Sequence, residues 1–484
     1  MLLFLALHLL AVPTVLDTAP PPLAITGVTV IDATGAPPAP GMTVIIEGDR
    51  IVAVAPAARA RLPRGAVMVD GRGKFLIPGL WDMHMHLANR PLRPDSNRVR
   101  GLDRNRAVIF PLLLASGITG VRDMAGDLPV LRRWREEAAS GAVPGPRLVI
   151  TGRKVGKSPV TAGAPFPISS DADVLRSVQL LVEGGADFVK VDGLDGRYYP
   201  RLFQAANAAG LNVVGHTAID LGAVTVARMG QRSIEHLDGV VLSCAADEAT
   251  IRADALAEEG WWRRLLAWVG LSHPEENFRR RYREMLATQS DPRTDSVIAV
   301  FRTQETWQTP TLVMLRDIRL VPPSAELAAD LRRYPGLSSG EPSTDVRWAG
   351  DTALSHQLYR RELAILGRMI QQGVPILAGT DGPGGTRLPG SSLHDELALL
   401  VEAGMSPLQA LQAATRDAAR FLGRQDSLGT VAAGKAADLV LLSADPLADI
   451  RNTRRIAGVV ARGKYYGPAA LDSLRALAAG APAP

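Results

Sequence analysis

Four histidines and one aspartate of this 484-residue chain stand at the ends of predicted strands. His84 and His86 lie in PGLWDMHMHL, His216 ends LNVVGH, His236 ends RSIEH, and Asp381 follows VPILAGT. Residues i and i+2 of a strand project to the same face, so the two histidines of the HxH pair share one side. Imidazole nitrogen and carboxylate oxygen are ligands of Zn²⁺, and a catalytic zinc keeps one position open for water. The five side chains therefore predict a metal site that performs hydrolysis.

Lys190 adds a sixth residue of interest, because the chain contains only six lysines and this one lies in the apolar run ADFVKVDG. Burying an unpaired ammonium group is costly, so a lysine inside a barrel requires a specific use. Carboxylation by CO₂ would supply one, since it converts the amine into an anionic ligand that can bridge two metal ions. Two other interpretations stay open: the side chain points outward between helices, or it pairs with Asp192.

The elements that must position these residues alternate between strand-like and helical patterns. Strands are predicted at 75–86, 118–124, 147–151, 188–191, 211–215, 233–236, 309–314 and 375–381, separated by amphipathic stretches such as DVLRSVQLLVEGGA. Eight strands in alternation with helices predict a (β/α)8 TIM barrel with its chemistry at the carboxyl ends of the strands. A doubly wound sheet is the alternative, but it calls for a glycine-rich phosphate turn where His84, Met85 and His86 stand.

Short alternating strands at both chain ends, 20–76 and 427–468, predict one small β-sandwich, because neither segment is long enough to form a stable sheet domain alone. The barrel is then expected at 77–426, with a helical insertion at about 240–306 that caps the strand ends. A peripheral decoration or a dimer contact is the alternative for this insertion. The tail, 469–484, is expected to form a short helix followed by disorder.

Composition limits the partners and the compartment. The formal net charge is +5, and no basic block with interleaved aromatic residues is present, which excludes a nucleic-acid-binding surface. Cys244 is the only cysteine, so neither an internal disulfide nor a thiolate metal cluster can form. The apolar run 2–12 is too short to span a bilayer and predicts a signal peptide at 1–19 with export to the periplasm or medium. A buried N-terminal segment of a cytoplasmic protein is the alternative. The sequence leaves open whether the chain forms a homo-oligomer.

The ordered motifs PGLWDMHMHL, FVK, GHT, SIEHL and AGTDG, with VIDATG and GTVAAGKAADLVLL near the ends, resemble the amidohydrolase superfamily. The resemblance runs from about residue 25 to 467 and is strongest to the imidazolonepropionase-like branch, in particular to Xaa-Pro dipeptidases (prolidases). It implies two divalent metal ions, expected to be zinc. His84, His86 and Asp381 would bind the more buried ion, His216 and His236 the more exposed one, and a carboxylated Lys190 would bridge them.

The function implied by this resemblance is hydrolysis of an amide or peptide bond in a small molecule, such as a dipeptide or an N-acyl amino acid. A metal-bridging hydroxide would attack the carbonyl, and Asp381 would accept its proton and deliver it to the leaving nitrogen. Arg153, Tyr198 and Tyr199 are the candidate substrate-binding residues. Ring opening of a lactone, lactam or imidazolone at the same metals is the alternative. A catalytically inactive barrel is a third hypothesis, against which the complete ligand set argues.

The loop after the third strand, TGRKVGKSPVTAGAP, lacks the histidine that several dipeptidases of this type have there. It is basic instead, which favours a substrate with a free carboxylate, although a solvated loop would have the same composition. Asp82 and Asp123 are candidates for holding histidine ring nitrogens, with ordinary turn positions as the alternative. His394 is expected to pack within or cap the last helix of the barrel.

Overall fold

The computed structural model describes residues 20–92, 95–156, 166–258, 274–337 and 351–479. The predicted signal peptide, 1–19, lies outside these residues. So do Lys157 of the basic loop, His273, and nearly all of the segment EEGWWRRLLAWVGL.

Both chain ends contribute to one sheet. Its strands are β1 (Leu23–Val30), β2 (Ala39–Glu47), β3 (Arg50–Pro56), β4 (Val67–Asp70), β5 (Phe75–Pro78), β13 (Leu439–Leu442), β14 (Ile456–Ala461) and β15 (Lys464–Tyr466). They follow the order β15-β14-β13-β5-β1-β2-β3, with β4 added alongside β1. The antiparallel pairing of β5 with β13 joins the two ends of the chain. Ile25, Val44 and Leu439 belong to the buried core of this unit, as the alternating pattern predicts.

Seven parallel strands form the second part of the fold. One sheet contains β6 (Leu80–Met85), β7 (Ile118–Asp123) and β8 (Arg147–Ile150), and another contains β9 (Phe188–Val191), β10 (Asn212–Gly215), β11 (Ser233–Glu235) and β12 (Trp307–Thr309). Helices follow most of these strands: α1 (Arg98–Ala115), α2 (Leu128–Ala139), α3 (Asp171–Glu183), α4 (Tyr199–Ala208) and α5 (Ala223–Arg228). The predicted α/β architecture with an additional β unit is therefore confirmed.

Segment 375–382 lies between the outer edges of the two parallel sheets. A parallel bridge joins Gln308 of β12 to Ile376, and another joins Met85 of β6 to Gly382. On the opposite side, a bridge between Val155 and Val191 connects the loop after β8 to β9. These contacts bring the carboxyl ends of the strands to one rim.

Five predicted strands agree with the structure to within one residue at each end, and three differ more. The run 75–86 is two strands, because the chain passes from β5 of one sheet to β6 of another, and the Gly79 amide between them donates to the carbonyl of Asp438. The run 309–314 is displaced: β12 ends at Thr309, and Thr311 adopts a left-handed φ of 48° before the helix α10 (Leu312–Ile318) begins. The run 375–381 forms isolated bridges in place of a continuous ladder.

The remaining helices lie in the predicted insertion and after β12. They are α6 (Val240–Ser243), α7 (Glu248–Glu258), α8 (Pro274–Ala287), α9 (Asp291–Thr303), α11 (Ala325–Arg333), α12 (Thr352–Gln371), α13 (Ser391–Glu402), α14 (Pro407–Ala413), α15 (Arg416–Phe421) and α16 (Pro468–Ala479). The predicted C-terminal helix is present as α16, and Leu471 and Leu474 bury it against Leu114 of α1. Within the described part of the chain, no helix is long and apolar enough to cross a membrane.

Candidate metal centre

Three predicted ligands meet at the rim where β6 and segment 375–382 end. Asp381 Oδ1 lies 3.2 Å from His84 Nε2 and 3.0 Å from His86 Nε2. One ligand atom from each of the three residues lies within 4.8 Å of the others. The pair between His84 and Asp381 lacks hydrogen-bond geometry, and among the described residues the buried His84 Nε2 has no hydrogen-bond partner. Atoms that converge on a common metal ion, and not on one another, have this arrangement.

Two further imidazoles extend this cluster. The His236 ring, directly after β11, has its centroid 4.5 Å from that of His84 and 5.1 Å from that of His216, which follows β10. The Nδ1 atom of His236 lies 2.6 Å from Thr311 Oγ1. A ring nitrogen that is held in this way leaves Nε2 as the nitrogen for a metal ion. The structure therefore brings all four predicted histidines to one site.

The protonation states suit metal binding. Burial lowers the pKa of His86 to about 4 and the pKa of His236 well below its usual value, so both imidazoles are neutral at neutral pH. Burial opposes ionisation of Asp381, but the imidazoles of His84 and His86 hold the pKa of its carboxyl well below the usual range. Neutral imidazole and ionised carboxylate are the forms that bind divalent metals.

Lys190 lies in β9 and lines the same cavity. Its side chain is buried, and Nζ has no hydrogen-bond partner in the described part of the chain. Burial lowers the pKa of this amine to about 8, which increases the neutral fraction that can react with CO₂. An outward-facing Lys190 is thus wrong. A pair with Asp192 is wrong as well, because that carboxylate binds other groups.

Asp192 connects a metal-ligand candidate to a cavity-lining cation. Its Oδ1 lies 2.9 Å from His216 Nδ1, and its Oδ2 accepts a hydrogen bond of 2.7 Å from Lys154 Nζ. Burial would raise the pKa of Asp192, yet His216 and then Lys154 hold it far below the usual value. The carboxylate is therefore ionised, and it orients His216 with Nε2 available to a metal.

A buried ion pair contacts the Nδ1 side of the His84 ring. Glu235 Oε2 accepts a hydrogen bond of 2.8 Å from His84 Nδ1, and both Glu235 oxygens lie 3.0 Å from Arg122 Nη2. Burial would raise the pKa of Glu235, but Arg122 and then His84 keep it well below the usual value. The arrangement is a carboxylate–histidine pair whose second nitrogen faces the metal site.

The backbone at the rim is unusual at two ligands. His236 has φ 61° and Asp381 has φ 57°, values in the left-handed region that non-glycine residues rarely adopt. Such conformations persist where the surrounding structure enforces them, often at functional sites. Close packing also requires Gly379, since a Cβ there would lie 2.8 Å from the Cβ of His84.

Comparison with known proteins agrees with this geometry. A model of the amidohydrolase family matches residues 318–465. Imidazolonepropionase of Rubrobacter xylanophilus is 26% identical over 424 residues, which cover 83% of this chain and 84% of that protein. A solved Xaa-Pro dipeptidase with methionine bound in its active site superposes with a TM-score of 0.64 at 17% identity, over 92% of this chain and 100% of that one. The family match over 318–465 and the longer similarity to imidazolonepropionase support an assignment to the amidohydrolase superfamily.

A second solved relative, a prolidase in complex with N-methylphosphonate-L-proline, has a TM-score of 0.65 at 20% identity and covers 92% of this chain and 99% of the other. The two prolidase structures show that this chain shares their fold. The family match and the similarity to imidazolonepropionase support a hydrolase acting on carbon–nitrogen bonds. The donor set of imidazoles and one carboxylate fits a divalent metal ion.

The cavity in front of the ligands has a volume of about 410 Å³. None of the three predicted substrate-binding residues is among the residues that line it. Tyr199 is buried, and its hydroxyl donates to the backbone carbonyl of His216 over 3.2 Å. Tyr198 is buried beneath the guanidinium of Arg197, and Arg153 stacks on Phe166 at 4.5 Å. These positions correct the sequence-based choice, because helix and loop geometry turned the three side chains away from the cavity.

Other cations line the cavity. They are Arg90 in the loop after β6, Lys154 after β8 and Arg387 after segment 375–382. Lys154 was recognisable in the basic third loop, but the choice between it and Arg153 required the backbone direction. No sequence motif distinguishes Arg90 or Arg387. Glu235 could have been found, since it is a charged residue inside the predicted strand 233–236.

The two predicted histidine-holding aspartates bind backbone groups. Asp82 accepts from the Thr380 amide and from its hydroxyl at 3.1 and 2.7 Å, which ties β6 to the last segment. Asp123 accepts from the Leu87 amide at 2.6 Å. The structure thus favours the turn alternative for both. Glu235 and Asp192 instead contact the Nδ1 atoms of His84 and His216.

Proposed function

We propose that the chain hydrolyses the amide or peptide bond of a small substrate with a free carboxylate, such as a dipeptide or an N-acyl amino acid. The observation that supports this most directly is the convergence of six ligand-type residues on one cavity: His84, His86, Lys190, His216, His236 and Asp381. We further propose that these residues hold two zinc ions, with a carboxylated Lys190 between them.

The chain's own residues would divide the reaction between them. Metal ions at this site would activate water and polarise the carbonyl. Asp381 is ionised at neutral pH, so it can accept a proton from the attacking water and later donate it to the leaving nitrogen. Glu235 and Asp192 keep the His84 and His216 rings in the tautomer that presents Nε2 to the site.

Lys154 is the residue we assign to the substrate carboxylate. It lines the cavity, and its ammonium is held in place by Asp192 at 2.7 Å. An ammonium group with three N–H donors can bind Asp192 and a substrate carboxylate together. The cavity of about 410 Å³ suits a dipeptide-sized molecule.

The parallel strands support the (β/α)8 barrel as the framework of this site. Seven strands lie in two parallel sheets, and bridges at Ile376 and Gly382 connect segment 375–382 to both of them. We propose that the barrel occupies 77–426, with the β unit formed by 20–76 and 427–468. We also propose that the 240–306 insertion caps the ends of the strands and that residues 1–19 direct export.

Opening of a cyclic amide is a second candidate. The similarity to imidazolonepropionase, which extends over 83% of this chain, favours it. The two candidates use the same ligands and differ in the shape of the scissile group.

The test is hydrolysis by the chain from residue 20 onward, loaded with zinc and bicarbonate. The substrates are dipeptides, N-acyl amino acids and their C-terminal amides, with lactams and lactones as the comparison set. We expect amine release from free-carboxylate substrates and at least tenfold lower kcat/KM for the matching amides. Turnover of lactams or lactones alone would replace the proposal with the second candidate, and no turnover by metal-loaded protein would contradict both.

A further inference from the structure

The loop after Asp381 folds back on itself and returns an arginine to that aspartate. The amide of Arg387 donates to the carbonyl of Gly384 at 2.7 Å, and the amide of Gly384 donates back at 3.2 Å. This tight turn places the Arg387 guanidinium on the wall of the cavity, where only 8% of the residue is exposed.

Arg387 contacts Asp381 at two points. Its Nε donates to the backbone carbonyl of Asp381 at 3.1 Å, and its Nη2 lies 3.8 Å from the carboxylate oxygen Oδ2. The other oxygen, Oδ1, faces the two imidazoles of His84 and His86. The two oxygens of Asp381 therefore have different neighbours, which defines the rotation of the carboxylate.

Arg387 is itself anchored by a buried anion. Its Nη1 lies 2.5 Å from Asp317 Oδ2, and Asp317 Oδ1 accepts from the amide and the hydroxyl of Thr386 at 3.1 and 2.9 Å. Asp317 belongs to α10, and only 1% of it is exposed. The planar fork of an arginine can hold a carboxylate and a carbonyl in one geometry, which the single ammonium of a lysine cannot reproduce.

We infer that the Asp317–Arg387 pair is a positioning device for Asp381: it connects α10 to the metal centre and sets the orientation of that ligand. The left-handed backbone of Asp381, φ 57°, supports this inference, because the Arg387 Nε bond to its carbonyl restrains that conformation. The inference rests on the proposed function, in which Asp381 binds metal and transfers the proton.

The same helix offers a matched control. Arg316 of α10 pairs with Asp395 of α13 at 2.6 Å, and both residues are buried. Asp395 also accepts from a hydroxyl, that of Ser324, just as Asp317 accepts from Thr386. Neither Arg316 nor Asp395 is among the residues that line the metal cavity. Substituting this pair therefore perturbs a similar buried ion pair without touching Asp381.

The experiment compares Asp317→Asn and Arg387→Lys with Asp395→Asn and Arg316→Lys in the chain from residue 20 onward. Zinc affinity is measured by chelator competition, the visible spectrum of the cobalt-loaded protein reports the ligand geometry, and thermal unfolding reports stability. We expect Asp317→Asn and Arg387→Lys to weaken zinc binding about 10- to 100-fold and to change the cobalt spectrum. The control pair is expected to lower the unfolding temperature without changing either metal readout.

The inference would be overturned if all four variants had the same zinc affinity and cobalt spectrum as the unsubstituted chain. It would also be overturned if both pairs of variants lost zinc affinity equally. Asp381→Asn separates this failure from failure of the proposed function. If Asp381→Asn loses zinc affinity while Asp317→Asn and Arg387→Lys do not, only the positioning inference is wrong. If Asp381→Asn keeps both zinc affinity and turnover, the proposed function is wrong. Should Asp317→Asn not fold, Arg387→Lys against Arg316→Lys decides the question alone.

Discussion

Glu235 offers the sharpest test of how the interior supports the metal site. Replacing it with glutamine keeps the shape of the side chain and a carbonyl oxygen for the His84 Nδ1–H, but it removes the negative charge. The guanidinium of Arg122, which is fully buried and lies 3.0 Å from both carboxylate oxygens, then loses the anion that it contacts. Breaking one partner of a buried pair costs about 3–5 kcal/mol. We expect Glu235→Gln to lower the free energy of unfolding of the metal-free protein by that amount.

Metal binding should weaken separately. A neutral amide raises the basicity of the His84 ring less than a carboxylate does, and loss of such a partner costs about 10- to 100-fold in metal affinity. The assays are urea denaturation after chelator treatment and zinc competition with a chelating dye.

The double variant Arg122→Met/Glu235→Gln distinguishes the two effects. Because it has no uncompensated charge, it should regain part of the lost stability while its zinc affinity stays low. The recovery is partial, since Arg122 also donates to the Met83 carbonyl and to the hydroxyls of Ser233 and Thr309. Wild-type zinc affinity in Glu235→Gln would refute the reasoning about His84. A double variant no more stable than Glu235→Gln would refute the charge argument.

Three further predictions concern separate parts of the chain. Lys190→Ala should lose most bound zinc and most turnover, and acetate or propionate should restore a part of both. Lys74→Ala on the β unit is the control and should bind zinc normally. Full zinc content in Lys190→Ala would exclude the bridging function. Lys154→Met should raise KM about 10- to 100-fold for free-carboxylate substrates and leave KM for their amides unchanged, because it removes a charged hydrogen bond. If Arg153→Met alone had this effect, Arg153 would be the substrate-binding residue, as the sequence predicted. His394 bonds to Ser116 and Thr453, and burial, with the nearby Arg454, lowers its pKa to about 3. Its folded-state pKa lies below the unfolded value near 6.5, so stability falls as pH drops below that value, by about 2 kcal/mol between pH 7 and 5. In His394→Gln this part of the acid dependence should be absent from urea denaturation, and an unchanged pH slope would contradict it.

The types of the candidate ligands and their order along the chain could be predicted from the sequence alone. His84 and His86 stand two residues apart in a strand, and strand geometry alone puts such residues on one face. The ends of successive parallel strands meet at one edge, so His216, His236 and Asp381 could also be expected there. Lys190 was recognisable because an unpaired charge is rare within an apolar run.

The tertiary structure was needed to show which side chains contact the predicted metal ligands and which line the cavity. Glu235 and Arg122 come from different strands and meet inside the fold, so no local pattern reports their contact. The same holds for Arg387 and Asp317, which are 70 positions apart in the chain. Arg153 and Lys154 are neighbours of similar charge, yet one stacks on Phe166 and the other lines the cavity. Local sequence determines which secondary structure the backbone prefers and how buried residues are spaced along it. The direction of a loop side chain depends on the packing of distant segments around it.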